Sequence, residues 1–560
     1  MDPPAPAPPP APPPSAPAPG RAAAPPPATA SGAPTMPAPT APATDIPWLG
    51  LLAVLMGTFI STLNGRLSNF GLADIRGAVG AGFDEGAWIT TAQTVAQMFI
   101  TPAALWMGSA YGPRRVLIGA SIAFAVISLL TPLSATLPML LVMQFLGGLA
   151  SGCFIPLTLG FILVNTPPKY WALGIAVYAL NLELSLNISA SLEGWYVEHA
   201  SWHWIFWQNV PLALIMSLCL RRGVPTRPTV PPPLDLFGLL AGGLGLACIY
   251  GALDQGNRLD WLNSGLEWGL LLAGAVLLIA FLVHELTTPN PVVNLKVVFG
   301  PPMPSQLMLI GFLRLTILAT SYMIPLYLGS VRGFRALEVG QTLVWIAAPQ
   351  LILCPLSALM LRRSDPRLVG SIGFVFISVA CLMVAFTITP GWGSLQFLPS
   401  QMLQAVGQSF ALSGVIFFGI LHLKPQDALT FGGALQTARL LGGEIGSAFI
   451  ATLTRVREQA ASNLLGQHVR VGDLDVIQRM RAYGAATTRT IDPVGAVHRG
   501  QLVLGNVVRV AATLQSVIDG FIALGMLTAV ALLILVFRSA APEGPASAMP
   551  LFPVRGERPP

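Results

Sequence analysis

The sequence predicts an all-α integral membrane protein that crosses the bilayer fourteen times. Three observations carry this expectation. Residues 48–537 contain fourteen separate apolar stretches, and a helix needs roughly 20 mostly apolar residues to cross the hydrocarbon core. Across 560 residues, 53% are hydrophobic and only 10% are Asp, Glu, Lys or Arg, with a mean hydropathy of +0.67, a balance that soluble domains do not sustain. The stretches mix Ala, Gly and Leu with Pro and Ser, small residues that let helices approach closely where lipid gives no hydrophobic drive for association. The ten-residue alternation of a membrane barrel is absent.

The spans read as 48–72, 86–109, 116–136, 138–165, 171–195, 204–220, 235–254, 265–284, 305–329, 339–361, 368–388, 397–421, 428–453 and 516–537. Residues 1–46, almost wholly Pro and Ala with only Asp2, Arg21 and Asp45 charged, have the composition of a disordered tether. They lack the basic start and apolar core of a signal peptide. With both termini inside, the cytoplasmic loops carry Arg114, Arg115, Lys169, Arg221, Arg222, Arg227, Lys296, Arg362, Arg363, Arg367 and Lys424. The short outer loops carry Arg76, Arg258, Arg332 and Arg335, so the basic bias predicts N-in and C-in, with 538–560 a cytoplasmic tail. The formal charge of +6 is therefore topological. No basic face with interleaved aromatics suggests nucleic-acid binding.

Composition also narrows the chemistry. The five cysteines, Cys153, Cys219, Cys248, Cys354 and Cys381, sit inside spans without a C-x-x-C pair, as buried free thiols do. No phosphate-cradling loop or nucleophile elbow is present. The reading is a non-enzymatic protein with no cofactor and no metal.

The first helix reads Phe59-Ile-Ser-Thr-Leu-Asn-Gly-Arg-Leu-Ser-Asn69. This is similar to the F-x-x-x-L-D-x-[ST]-I-[AV]-N signature of the fourteen-helix drug:proton antiporters of the major facilitator superfamily, the EmrB/QacA type. Trp88, Gly148 through Pro156, Trp204-Ile-Phe-Trp-Gln-Asn-Val-Pro211, Asp254-Gln-Gly-Asn-Arg-Leu-Asp-Trp261, Pro325-Leu-Tyr-Leu328 and Arg439-x-Leu-Gly-Gly443 resemble further segments of that family in the same order. The resemblance covers about 47–537. It implies a major facilitator fold: one six-helix bundle over 47–222, two inserted helices over 234–286, and a second bundle over 303–537 with an outer loop at 456–515. It further implies a small-molecule substrate near the midplane, alternating access, residence in a bacterial inner membrane, and a periplasmic adaptor with an outer-membrane channel as partners.

The departures bear on coupling. The family's first-helix Asp is Asn64 here, its fourth-helix Arg is Gln144, and its fifth-helix Gly-Pro motif is replaced by Ser189-Ala190, with Glu193 before Gly194. The loop after the second helix keeps Gly112, Arg114 and Arg115, which the resemblance marks as gating residues. The standard coupling acid is therefore not carried onto this chain.

Charge nevertheless persists inside the spans. Arg66, Glu183, Glu193, Arg314, Arg439 and Glu444 all fall there, where an ionised group costs a few kcal/mol or more unless paired or hydrated. The fifth span carries two polar stripes, Asn181, Ser185, Ser189 and Glu193 on one face and Glu183, Asn187 and Ser191 on the next. Because fifth helices border the cavity in the superfamily, Glu183 and Glu193 are candidates to replace the missing acid, with Glu444 as a third. A static Arg66–Glu183 pair is the structural alternative. Arg66 shares a face with Thr62 and Asn69, while Asn64 lies on another. Asn64, Arg66, Asn69, Gln144, Asn187, Arg314 and Arg439 are the candidate cavity residues. Arg439 and Glu444, five apart, stand about 140° apart around the helix and need not pair. Trp195, Trp202, Trp204 and Trp207 fit an interfacial aromatic belt. The function read from the sequence is proton-coupled export of organic, amphipathic or drug-like solutes from the cytoplasm, with an uncoupled or differently coupled organic-anion facilitator and a transporter-derived sensor without turnover as the alternatives.

Overall fold

The computed structural model describes residues 48–224, 231–424, 427–470, 472–485 and 493–538. The segment 1–46 and the tail 539–560 lie outside the described residues. Fourteen long helices follow in order: α1 (Trp48–Phe70), α2 (Trp88–Tyr111), α3 (Pro113–Leu130), α4 (Leu137–Asn165, broken at Cys153), α5 (Trp171–His199), α6 (Trp204–Gly223, broken at Gln208) and α7 (Leu236–Gly256). Then come α8 (Gly265–Thr287), α9 (Met303–Ser330), α10 (Ala336–Arg363), α11 (Pro366–Thr387), α12 (Ser394–Ile420), α13 (Ala428–Gly466) and α14 (Pro493–Val536). Among the described residues, twelve helices are long and apolar enough to cross a membrane. The other two, α2 with 24 residues and α13 with 39, carry the polar side chains that turn inward.

Two groups of six helices pack within themselves. In the first, α1 lies on α4, α5 and α6, α2 on α4, and α3 on α6; in the second, α11 lies on α12 and α14, and α9 on α13 and α14. The groups meet where α5 lies along α10 and α12 and where α4 and α2 meet α13. With an even number of helices, the start of α1 and the end of α14 share one end of the molecule, here the terminal end; the other is the far end.

Small residues make the inter-bundle seam tight at both ends. At the far end, a Cβ on Gly340 of α10 would stand 2.7 Å from the Ser191 Cα of α5, and Ser191 Oγ donates to the Gly340 carbonyl at 2.6 Å. At the terminal end, a Cβ on Gly432 of α13 would strike the Pro156 carbonyl of α4. Gly112, with φ of 81°, turns α2 into α3. Beside it, the Arg114 guanidinium donates to the Leu220 and Arg221 carbonyls at 3.3 and 2.9 Å, tying that turn to the end of α6. Arg115 is exposed.

The segment 456–515 departs from the loop read in the sequence. α13 continues to Gly466, a short helix spans Leu474–Ala485, and α14 begins at Pro493. Apolar composition ends near 453, but the helix formers Arg457-Glu-Gln-Ala-Ala461 carry the helix on in an aqueous setting. Arg457 Nε meets Asp519 Oδ2 at 2.6 Å, clamping α13 to α14 beyond the apolar spans.

The inserted hairpin is asymmetric. α8 leaves Leu272, Val276 and Ile279 more than half exposed, as a lipid-facing helix does. α7 instead buries Ala241, Gly242, Gly243, Gly245 and Ala247, and this small-residue surface packs it against α2 and α8.

Candidate functional site

A cavity of about 560 Å³ lies between the two bundles. α1 contributes Ser61, Thr62, Arg66 and Asn69, and α2 contributes Thr90, Thr94 and Gln97. α9 gives Arg314 and Tyr322, α13 gives Arg439, Glu444 and Ser447, α7 gives Tyr250 and Asp254, and the turn after α7 gives Asn257 and Arg258. Four guanidinium groups and two carboxylates thus face one cavity.

The partners of these charges decide what each can do. Arg314 Nη1 donates to Glu183 Oε1 at 2.8 Å, with both side chains almost wholly buried. This pair crosses from α5 to α9, so the Arg66–Glu183 alternative does not form. Arg258 reaches Asp84 at 3.1 Å. Arg439 meets only neutral groups, the Gln436 Oε1 at 2.9 Å and the Thr62 Oγ1 at 3.3 Å. Arg66 has no carboxylate within ion-pair distance among the described residues. Glu444 likewise has no cationic partner and accepts from Tyr250 Oη at 2.8 Å.

The stripe on α5 has a structural explanation. Glu183 binds Arg314, Asn187 Nδ2 donates to Gln408 Oε1 at 2.9 Å and Gln350 Oε1 at 3.3 Å, and Ser191 binds Gly340. Every member therefore faces the second bundle. The neighbouring stripe stays within the first bundle: Ser185 and Ser189 bond the Leu182 and Leu186 carbonyls of their own helix at 3.1 and 2.7 Å.

The family model described as Major Facilitator Superfamily matches residues 54–447. The chain belongs to the Major Facilitator Superfamily. It is a multi-pass integral membrane transporter of that superfamily, with a cavity between its bundles. It is 25% identical over 444 residues to the "Multidrug export protein EmrB" of Haemophilus influenzae, covering 78% of this chain and 87% of that protein. It is 28% identical over 422 residues to the "Probable multidrug resistance protein EmrY" of Escherichia coli, covering 73% and 81%. The solved proton:xylose symporter XylE shares the fold at a TM-score of 0.56 and 10% identity, over 88% of this chain and 96% of that one.

Within this major facilitator framework the sequence-derived residues fall into three groups. Arg66, Asn69, Arg314, Arg439 and Glu444 line the cavity. Glu183 and Asn187 sit at the seam between the bundles. Asn64, Gln144 and Glu193 lie elsewhere. Asn64 Oδ1 accepts from Asn209 Nδ2 of α6 at 2.7 Å, Gln144 is buried in α4, and Glu193 is buried near Gly71 at the far end. At the far end, outside the cavity wall, Trp204 meets Trp207 edge to face and stacks on Tyr196, Trp195 meets Tyr196, and Trp202 meets Phe206.

Sequence reasoning missed the α7 residues. Tyr250 and Asp254 stand four residues apart on α7 and so share a face, and Arg258 follows in the turn beyond its end. That spacing was visible, but Asp254 closes an apolar stretch and reads there as the charged end of a span.

Proposed function

We propose that this transporter exports organic, amphipathic or drug-like solutes from the cytoplasm of a bacterial cell, coupled to proton entry across the inner membrane. The observation that carries the proposal is Glu444. It is a carboxylate on the wall of the inter-bundle cavity, held by a neutral hydroxyl, so its charge can change without stranding a guanidinium. The bundles would rock against each other, parting at the Gly340 contact of α5 and α10 in one facing and at the Gly432 contact of α4 and α13 in the other, to expose the cavity alternately. Glu183 would serve as an ion pair made and broken during that motion. The arginine bias supports a cytoplasmic terminal end, and the similarity to multidrug export proteins supports export. In proteoliposomes, an imposed pH gradient is expected to drive accumulation of ethidium, a lipophilic cation, or oleate, an amphipathic anion. Accumulation that ignores the gradient would reject proton coupling.

A second reading has its own observation. Among the described residues, Arg66 and Arg439 face the cavity with no carboxylate at ion-pair distance, an arrangement that suits an organic anion. Gradient-independent, saturable oleate flux in the same vesicles would favour an uncoupled anion facilitator.

We also propose that the helical extension at the far end meets a periplasmic adaptor. Leu464, Leu474 and Leu502 are 60%, 72% and 62% exposed on it, beyond the helices' apolar spans. Changing all three to Glu should abolish resistance in cells while leaving transport by the purified protein intact. Unchanged resistance would remove this surface as the docking site.

A further inference from the structure

α7 is built into the cavity wall on both sides. Toward the first bundle, the Asp254 carboxylate accepts from the Thr91 hydroxyl of α2 and from Gln255 Nε2 at 3.0 Å. Arg258, one turn on, turns away from Asp254 to Asp84 at 3.1 Å and to Gln255 Oε1 at 2.7 Å. Toward the second bundle, Tyr250 holds Glu444, and Trp261 Nε1, just beyond α7, donates to Thr452 of α13 at 3.2 Å.

Two carboxylates, on α7 and α13, therefore line one cavity with no ion pair to either. Asp254 follows one turn along α7 from Tyr250, whose hydroxyl holds Glu444, so the two carboxylates share one stretch of the cavity wall. The groups facing Asp254 are Thr91, Gln255, Arg258, Tyr250, Glu444 and Glu267 of α8. Glu267 is fully buried, with neither carboxylate oxygen hydrogen-bonded among the described residues. The groups facing Glu444 are Tyr250, Asp254 and Arg66. Like charges confined together in a poorly solvated site are relieved by taking up a proton, and the pair then titrates as a unit.

We propose that Asp254 and Glu444 share one proton of the transport cycle, which makes the inserted helix α7 a working part of the coupling site. The inference rests on the proton-coupled reading above. Its mechanical consequence follows from the hydrogen bonds. A protonated Asp254 is a weaker acceptor for Thr91, so proton uptake loosens α7 from α2 while Trp261 still holds the end of α7 to α13. Proton binding is thereby linked to movement of the second bundle away from α2.

The test needs no organic ligand in its first arm. Full-length protein in nanodiscs is titrated with protons and followed by infrared difference spectroscopy of the carboxylic-acid carbonyl stretch. Asp254→Asn and Glu444→Gln should each move the midpoint of the same titrating band to lower pH, because one acid remains without a like charge beside it, and the double variant should remove the band. A spectrum unchanged by Asp254→Asn overturns the inference. In the second arm, proteoliposomes of both variants should lose pH-gradient-driven ethidium accumulation but keep ethidium exchange, and Asp254→Glu should restore it. Wild-type protein that ignores the gradient defeats the proton-coupled reading itself. Gradient-driven accumulation lost in Glu444→Gln but near wild type in Asp254→Asn defeats the role of α7 alone. Should Asp254→Asn fail to insert, Thr91→Val removes the donor yet leaves the acid, and the midpoint of the band should shift; an unmoved midpoint counts against the pair.

Discussion

Glu183→Gln is expected to destabilise the protein by about 3–5 kcal/mol, because it leaves the Arg314 guanidinium buried without its counter-charge. The pair is 2.8 Å long and its side chains are 4% and 1% exposed, so water cannot replace the missing carboxylate. Its geometry is also thinly supported: Glu183 Oε2 and Arg314 Nε have no hydrogen-bond partner among the described residues. Replacing both residues together, as Glu183→Leu with Arg314→Met, should therefore recover most of the loss, since a buried ion pair exchanged for apolar groups of similar volume is often neutral or better. Thermal unfolding of the single and double variants in one detergent measures this. A Glu183→Gln protein as stable as wild type, but with gradient-driven transport abolished, would reassign Glu183 from a structural pair to a proton carrier.

Much of this arrangement is legible in the sequence where a single helix suffices to encode it. Apolar length marks most of the spans, and the four-residue recurrence of Glu183, Asn187 and Ser191 marks a face that cannot meet lipid. What recurrence does not specify is the partner on the other side. Arg314 has no acid in its own helix, and its pairing with Glu183 rather than Arg66 depends on how α5 and α9 cross. The same limit hides α7. Asp254 ends an apolar run, so its composition is that of a membrane boundary, and only the packing of the glycine-rich α7 against α2 brings it to the cavity. The helical extension over 456–515 escaped for a different reason: its helices are amphipathic and solvent-facing, and apolar length does not register them.

Gly340→Leu and Gly432→Leu are expected to push the transporter toward opposite facings. Each glycine is a place where the bundles touch through backbone. A side chain at 340 meets the Ser191 Cα and the Ala190 carbonyl, at 2.7 and 2.8 Å even for a Cβ alone, and one at 432 meets the Pro156 carbonyl. Backbone cannot rotate aside as a side chain does, so the helices must separate. Overpacking of a tight core costs about 1–3 kcal/mol, and since about 1.4 kcal/mol is tenfold in an equilibrium, either substitution should shift the facing equilibrium by about tenfold or more. The direction differs because Gly340 closes the far end and Gly432 the terminal end. In a background without the native thiols, Ser321→Cys on the cavity wall reports access to a membrane-impermeant maleimide in vesicles of each orientation. Gly340→Leu should raise labelling from the far side, Gly432→Leu from the terminal side, and both should slow gradient-driven transport, which needs each facing in turn. Gly119→Leu, where an added Cβ would meet nothing within 4 Å, should change neither. If Gly340→Leu and Gly432→Leu raise labelling from the same side, the bundles do not close at these two contacts in alternation, and the seam of α5 and α10 is a fixed hinge rather than a gate.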